Sequence, residues 1–331
     1  MTKITLSHGS GGRLMHDLIK KLFVKELGNP LLNKLGDAAI FKTGSRLAFT
    51  TDSFVVSPIF FPGGDIGKLS ICGTVNDLCV SGARPRYLSC AVIVEEGFGY
   101  SDLEKIVLSV KMTCKKAGVD IITGDFKVVE KGAADKVFIT TSGVGDIYQG
   151  ASLSIERIRP GDKVIISGTI GEHGAAVLLA REELKFKAKI SSDCAPLNGL
   201  TSAILNKGIK FMRDPTRGGL ATTLNEIAID SGYNIGIEES KIPIKESVRV
   251  LCEALGMDPL YMANEGKVVV IVAPEAEGKV LSIMKKHPLG RKSVIIGEVK
   301  KERNKRVYLK TRIGGKRIVD MLSGEQLPRI C

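Results

Sequence analysis

The chain has 331 residues, room for two domains of roughly 150 residues each, and its 44% hydrophobic and 25% charged content excludes a disordered chain. The net charge of +12 invites a nucleic-acid reading, but much of the excess sits in "GRKSVIIGEVKKERNKRVYLKTRIGGKR", where it flanks apolar runs and comes with Glu298 and Glu302. With no Trp to stack bases, a solvated, strand-bearing face is the expectation, and no nucleic-acid partner.

In chain order, "SHGSGGR" reads as a glycine loop leading into an amphipathic helix, "LMHDLIKKLFVKELG", and residues 1–36 are set apart on that basis. The first domain, 37–150, carries strands at "RLAFTTDSFVV", "YLSCAVIVEE" and "KVFITTSGVGDI". Between them lie a helix after "FPGGD", capped by Asp65, and another at "SDLEKIVLSVKMTCKKAG". The turn-rich "IRPGD" opens a second domain, 151–321. It alternates strands ("KVIISGTI", "NIGIEE", "GKVVVIVAP", "SVIIGEV", "RVYLKTR") with helices ("GAAVLLAREEL", "GGLATTLNEIAIDSG", "IKESVRVLCEALG", "PEAEGKVLSIMKKH"). The class is therefore mixed α/β (α+β). Residues 322–331 lack periodicity and read as a mobile tail with a reach of about 33 Å when extended.

No run of about 20 apolar residues is uninterrupted, since "KVIISGTIGEHGAAVLLAREE" contains Glu172 and His173, and the N-terminus has no secretory pattern. A cytoplasmic protein with no membrane partner is expected. Of seven cysteines, six have apolar neighbours and read as reduced core residues. The seventh, Cys331, stands last in the chain, not at the fourth place from the end where a prenylation signal puts its Cys, and asks for another reason.

Acidic residues recur at strand ends or beside glycine: Asp37, Asp52, Asp77, Asp125 and Glu265. Each alone can be a turn residue or helix cap; converging, they would need a cation among them, and oxygen-rich sites suit Mg²⁺ bridging nucleotide phosphates. There is no Walker loop and no GxGxxG between a strand and a helix. ATP would then be held by metal-bridged carboxylates, Lys127 and glycine-rich backbone such as Gly11 and Gly12. Asp214 in "RDPTRGGL" precedes a helix whose amides can face an anion, or is a simple helix start signal. His8, His16, His173 and His287 read as ordinary residues.

The blocks "GDAAI", "TTDSFVV", "GTVNDLCVSGARPRYLS", "ITGDFKVV", "RDPTRGGLATTLNEIA", "ANEGK" and the final "PRIC" resemble the HypE family of hydrogenase maturation proteins. That family lies within the PurM-like ATP-binding superfamily of aminoimidazole ribonucleotide synthetase, selenophosphate synthetase and thiamine monophosphate kinase. The likeness runs over essentially the whole chain. It implies a two-domain PurM-like fold with a flexible tail and a homodimer built through first-domain strands. It also implies that the carbamoyltransferase HypF loads a carboxamide on Cys331, that ATP-dependent dehydration turns it into an S-cyanide for the nickel-iron centre, and that HypC and HypD are further partners. Lys127 would neutralise phosphate charge, and Glu265 would act as base by analogy, unless it only pairs with Lys127 or Lys267. Alternatives are a small-molecule kinase or synthetase of the superfamily, selenophosphate or thiamine-phosphate type, and a basic nucleic-acid or scaffold protein. The reactive Cys of the selenophosphate type is missing from "SHGSGGR".

Overall fold

The computed structural model describes residues 12–18, 20, 32–35, 39–181, 188–205, 207–322, 324, 327 and 329–331. Gly11, Asp37 and most of the expected N-terminal helix lie outside the described residues. The part inside them is α1 (Arg13–Leu18).

The first domain is a five-stranded sheet made of β1 (Ala39–Thr43), β2 (Ser45–Phe54), β5 (Ala83–Glu95), β6 (Asp120–Val129) and β7 (Val137–Ile147). Its order is β1-β2-β7-β5-β6, and only the β5/β6 pair is parallel. The short hairpin of β3 (Phe60–Phe61) and β4 (Gly64–Asp65) leads into α2 (Ile66–Val80). Asp65 caps this helix as its sequence position suggests, accepting from the amides of Gly67 at 2.7 Å and Lys68 at 3.0 Å. α2 is apolar on almost every side and buried on almost every side, which marks it as a central helix. α3 (Tyr100–Ala117) is amphipathic and covers it from outside, ending on Gly118 at φ 67°.

Alternation along β2 turns Ala48, Thr50, Asp52 and Phe54 toward α2, and Phe49 the other way. On that other face Phe49, Tyr87 and Ile93 keep 43%, 47% and 40% of their surface exposed. The sheet thus presents an apolar side that no described residue of this chain covers.

The second domain has seven strands: β8 (Lys163–Ile166), β9 (Ile209–Arg213), β10 (Ile235–Glu238), β11 (Val269–Val272), β12 (Val294–Val299), β13 (Val307–Lys310) and β14 (Lys316–Val319), ordered β14-β13-β10-β12-β8-β11-β9. Between them come α4 (Glu172–Leu179), α5 (Asn198–Ile204), α6 (Gly219–Ser231), α7 (Glu246–Leu255) and α8 (Glu277–Lys286). The stripe Leu220, Leu224, Ile227 and Ala228 of α6 packs on one face of the sheet. The helices α5 and α8 pack on the other through Leu200, Ile204, Val280 and Met284. The basic late segment forms β12 to β14 with its charges outward. Among the described residues no helix is long and apolar enough to cross a membrane.

The domains meet along α2. Asn76 accepts from the Leu197 amide at 2.8 Å and donates to the carbonyls of Ala195 at 3.2 Å and Glu265 at 3.4 Å. One buried amide side chain thereby ties the first domain's central helix to two loops of the second.

Candidate active site at the domain junction

The end of the chain is seated in this junction. The amide of Val55 donates to the main-chain oxygen of Cys331 at 3.1 Å and that of Ser57 to the Arg329 carbonyl at 3.0 Å, so the last residues run antiparallel beside the segment that follows β2. Arg329 Nε donates to the Val55 carbonyl at 2.8 Å, and its guanidinium pairs with Asp135 and lies 5.8 Å from the Phe138 ring centre. Arg181 Nη2 donates to the Arg329 carbonyl at 3.3 Å. His173, from the second domain, meets the Ile330 carbonyl at 2.8 Å. Ile330 is buried in an apolar cluster with Phe54, Val56, Phe61, Val177 and Ala263, which makes it the anchor of the docked tail.

That seat puts the Cys331 thiol among charges from three segments, carrying Arg217, Glu265 and Asp52. Burial pushes the thiol up to about 12, against the pull of the Arg217 guanidinium, while Glu265 and Asp52 push it further up. Arg217 is raised in turn, first by Cys331, and after the cost of burial by Asp52, Glu265 and Asp77. Glu265 is raised well above the usual carboxylate range by burial and by the charges of Cys194, Asp214 and Asp52. Its Oε1 is buried without a hydrogen-bond partner. Asp52 is also raised by burial, with Arg217 offsetting part of it.

Each of these side chains is placed by local sequence. Gly73 lets β2 close onto α2, since a Cβ there would stand 2.8 Å from the Phe54 ring and 3.4 Å from Asp52 Oδ2. One turn on, Asp77 accepts from Thr50 Oγ1 at 2.9 Å. Asp52 and Asp77 thus face the same helix–strand seam. The "ANEGK" loop is pinned by Asn264, which accepts from the Gly171 amide at 2.7 Å and donates to the Pro215 carbonyl at 2.8 Å. The Glu265 amide donates to Asp193 Oδ1 at 3.1 Å. Gly266 allows the approach, because a Cβ there would fall 1.9 Å from the Asp193 carbonyl oxygen.

Several sequence expectations change here. Glu265 pairs with neither lysine: Lys267 goes to Asp193 at 3.0 Å and Glu172 at 3.6 Å, and Lys127 goes to Asp125 at 2.9 Å. Asp214 is not the cap of α6, whose N-cap is Gly218 at φ 74°; it is buried and adds to the field on Glu265. Asp125 and Lys127 do not join the cluster. The register row Asp52, Thr141, Cys90, Gly124 crosses the sheet, so residues 125 and 127, at odd steps from an inward position, point to the open face. There the Lys127 hydrogen bond holds Asp125 below its usual range. Gly12 is buried against Leu322 of the tail rather than in the cluster, its Cβ position lying 2.2 Å from the Leu322 oxygen.

Sequence reasoning missed Arg217, although it stands inside "RDPTRGGL", and set aside His173. Of the six cysteines expected in the core, Cys72, Cys79, Cys114, Cys194 and Cys252 are buried and Cys90 is half-buried, and all are free thiols.

Among the described residues no three His, Cys, Asp or Glu form a ready metal cage. Mg²⁺ asks for less, one or two carboxylates with waters and phosphates completing the shell. Asp52 and Asp77 on one seam fit that requirement, and a cluster with more carboxylates than guanidinium favours an added cation.

Comparison with known proteins gives two matching family models, "AIR synthase related protein, N-terminal domain" over residues 35–147 and "AIR synthase related protein, C-terminal domain" over residues 159–310. The chain is 52% identical to the carbamoyl dehydratase HypE of Bradyrhizobium diazoefficiens, over 99% of this chain and 96% of that one. It resembles the crystal structure of a HypE-HypF complex with TM-score 0.88 and 52% identity, covering 92% of this chain and 99% of the other. It also resembles HypE crystallised in complex with ATP, with TM-score 0.83 and 48% identity, covering 99% of this chain and 100% of that one.

Proposed function

The chain belongs to the HypE family of carbamoyl dehydratases, and on that premise we propose that it dehydrates a carboxamide carried on its own Cys331 to an S-cyanide for hydrogenase maturation. The observation that carries this reading is the seating of Cys331 against Arg217, Asp52 and a Glu265 whose Oε1 is buried and unpaired.

Hydroxide is too poor a leaving group to depart from the carboxamide carbon. ATP, bound with Mg²⁺, supplies a γ-phosphoryl group for the carboxamide oxygen, which then leaves as phosphate while the nitrogen gives up two protons. The products are the S-cyanide, ADP, phosphate and a proton. Asp52 and Asp77 would hold the metal, Arg217 would neutralise charge gathering at the reacting oxygen, and Glu265 Oε1 would accept a nitrogen proton. Burial raises the Glu265 carboxyl, and the charge of Asp214 adds to that rise. Closure of the tail over an apolar cluster shields the site from water.

The tail must leave this seat to be loaded, so it alternates between the docked position and the carbamoyltransferase HypF, with HypC and HypD receiving the product. A homodimer formed on the apolar open face of the first sheet is part of the reading; it would cover Phe49, Tyr87 and Ile93. Lys127 and Asp125 lie on that face, so they serve the nucleotide phosphates only within such a dimer.

The test is mass spectrometry of Cys331 after incubation with the carbamoyltransferase and a carbamoyl donor, and again after ATP. The expected result is a gain of one carbamoyl group followed by loss of one water. ATP consumption with no change of mass at Cys331 would refute the reading.

A further inference from the structure

We propose that His173, with Ser192 behind it, is the positioning residue that latches the final peptide of the chain and so aims Cys331 into the reaction cluster. The inference rests on the carrier reading of Cys331 and adds the device that seats the carrier.

The hydrogen-bond chemistry fixes each proton. The Ile330 carbonyl can only accept, so His173 Nε2, 2.8 Å away, carries the hydrogen and donates it. His173 is fully buried, and that burial lowers its basicity despite Asp193 and the Ile330 contact, so the ring is neutral and Nδ1 is a bare acceptor. Ser192 Oγ, 2.8 Å from Nδ1, must therefore donate to it. The same oxygen accepts the Cys194 amide at 3.0 Å, which gives the hydroxyl both a donor and an acceptor role. The ring plane is set by Phe61, edge-on at 88° with centroids 5.3 Å apart.

This relay joins three separate pieces of chain. Ser192 is tied to the first domain through its amide, 2.7 Å from the Pro62 carbonyl. His173 is the second residue of α4 in the second domain, and Ile330 is in the tail. When the tail leaves, Nε2–H loses its acceptor in a wall that is largely apolar, so the imidazole favours the docked state. Among the described residues, the last three of the chain are also held by Arg181, by the main-chain amides of residues 55 and 57, and by the Arg329 side chain's own bonds to the Val55 carbonyl and Asp135. His173 is the contact made directly to the peptide that joins Ile330 to the reactive residue, and it sets the direction in which Cys331 departs.

Two near-isosteric substitutions in the full-length protein separate latching from packing. His173→Gln keeps an N–H where Nε2 stands; His173→Asn keeps a polar group only where Nδ1 stands. With Cys331 carbamoylated and ATP saturating, water loss in a single turnover should stay near the wild-type rate in His173→Gln. It should fall about tenfold in His173→Asn, the effect of one hydrogen bond. Maleimide labelling of the unloaded Cys331 should be faster in His173→Asn alone. Wild-type behaviour in both variants overturns the proposal, and so does an equal loss in both, which would mean a packing role. If His173→Asn does not fold, Ser192→Ala decides, because it leaves the imidazole but removes the donor to Nδ1: faster labelling of Cys331 supports the latch and unchanged labelling overturns it. Should wild-type Cys331 never lose water, the carrier reading fails by itself, and the labelling comparison still decides whether His173 seats the tail.

Discussion

The Val55 amide donates to the main-chain oxygen of Cys331 at 3.1 Å, so the last residue of the chain continues the hydrogen-bonding of a strand from the first domain. The side chain that makes this docking favourable is the neighbouring Ile330, 6% exposed among apolar residues of both domains. Burying an isoleucine is worth about 2 kcal/mol, enough to hold the thiol inside most of the time and weak enough for exchange.

Ile330→Asp should therefore undock the tail. Alkylation of Cys331 with iodoacetamide at mildly alkaline pH is expected to accelerate by at least about tenfold, because the released thiol loses the burial that raises it toward about 12. The global melting temperature should move little, since the strands and helices of both domains keep their own contacts. A labelling rate equal to that of the wild type would show that Ile330 does not anchor the tail.

Glu265 links the site to pH. Burial raises its carboxyl well above the ordinary value of 4.5, so the folded protein binds this proton more tightly than the unfolded chain does. The stability from burying the neutral acid is complete below the unfolded value and is lost as pH rises through the folded one. Glu265→Gln has no proton to lose. Its melting temperature should match the wild type at acid pH and exceed it increasingly toward alkaline pH. Dehydration should run the opposite way, the wild-type rate climbing as Glu265 ionises and Glu265→Gln losing at least about a hundredfold. A variant with the wild-type rate would remove Glu265 from the chemistry.

A half-buried acid has the reverse sign. Glu226 on α6 meets His16 of α1 at 2.7 Å and Arg213 of β9 at 2.8 Å. Burial alone would raise it, but these partners hold it below its usual range. Its contribution is present above the unfolded value of 4.5 and disappears as pH falls through the folded one. Glu226→Ala should cost about 2 kcal/mol at neutral pH, a part-buried pair lying between surface and core values. The cost should shrink in acid, as thermal unfolding across pH would show. A cost that does not vary with pH would contradict the ion-pair account.

Much of the fold was legible because its signals are local. Asp65 before α2, Gly118 after α3 and the apolar stripe of α6 each lie within a few residues of what they control. β1, β6, β9 and β14 escaped notice: β1, β9 and β14 are four or five residues of mixed polarity with no distinctive period until neighbouring strands pair with them, and the apolar run of β6 is broken by Gly124 and Asp125. The site was legible as a list of acids but not as an arrangement. Asp125 and Asp52 look alike in sequence, and only the register of four strands sends them to opposite faces. Arg217 reads as an ordinary loop cation until the tail folds onto it. His173 finds its acceptor 157 residues away, beyond any pattern that a single sequence carries.

The two faces of the first sheet should also respond differently when an acid is removed. Asp77 lies on the seam that also holds Asp52, within one chain, whereas Asp125 points to the open side of the sheet beside Lys127. Asp77→Asn should weaken magnesium-dependent ATP binding by at least about tenfold whether the protein is monomeric or associated, one carboxylate ligand having been lost. Asp125→Asn should weaken it only at concentrations where a second copy covers that face. Calorimetric titrations with and without magnesium, run on either side of the association midpoint set by analytical ultracentrifugation, separate the two cases. If Asp125→Asn loses ATP affinity equally in the dissociated protein, residue 125 must reach the nucleotide within its own chain, and the strand register that turns it to the open face could not be the one that forms the binding site.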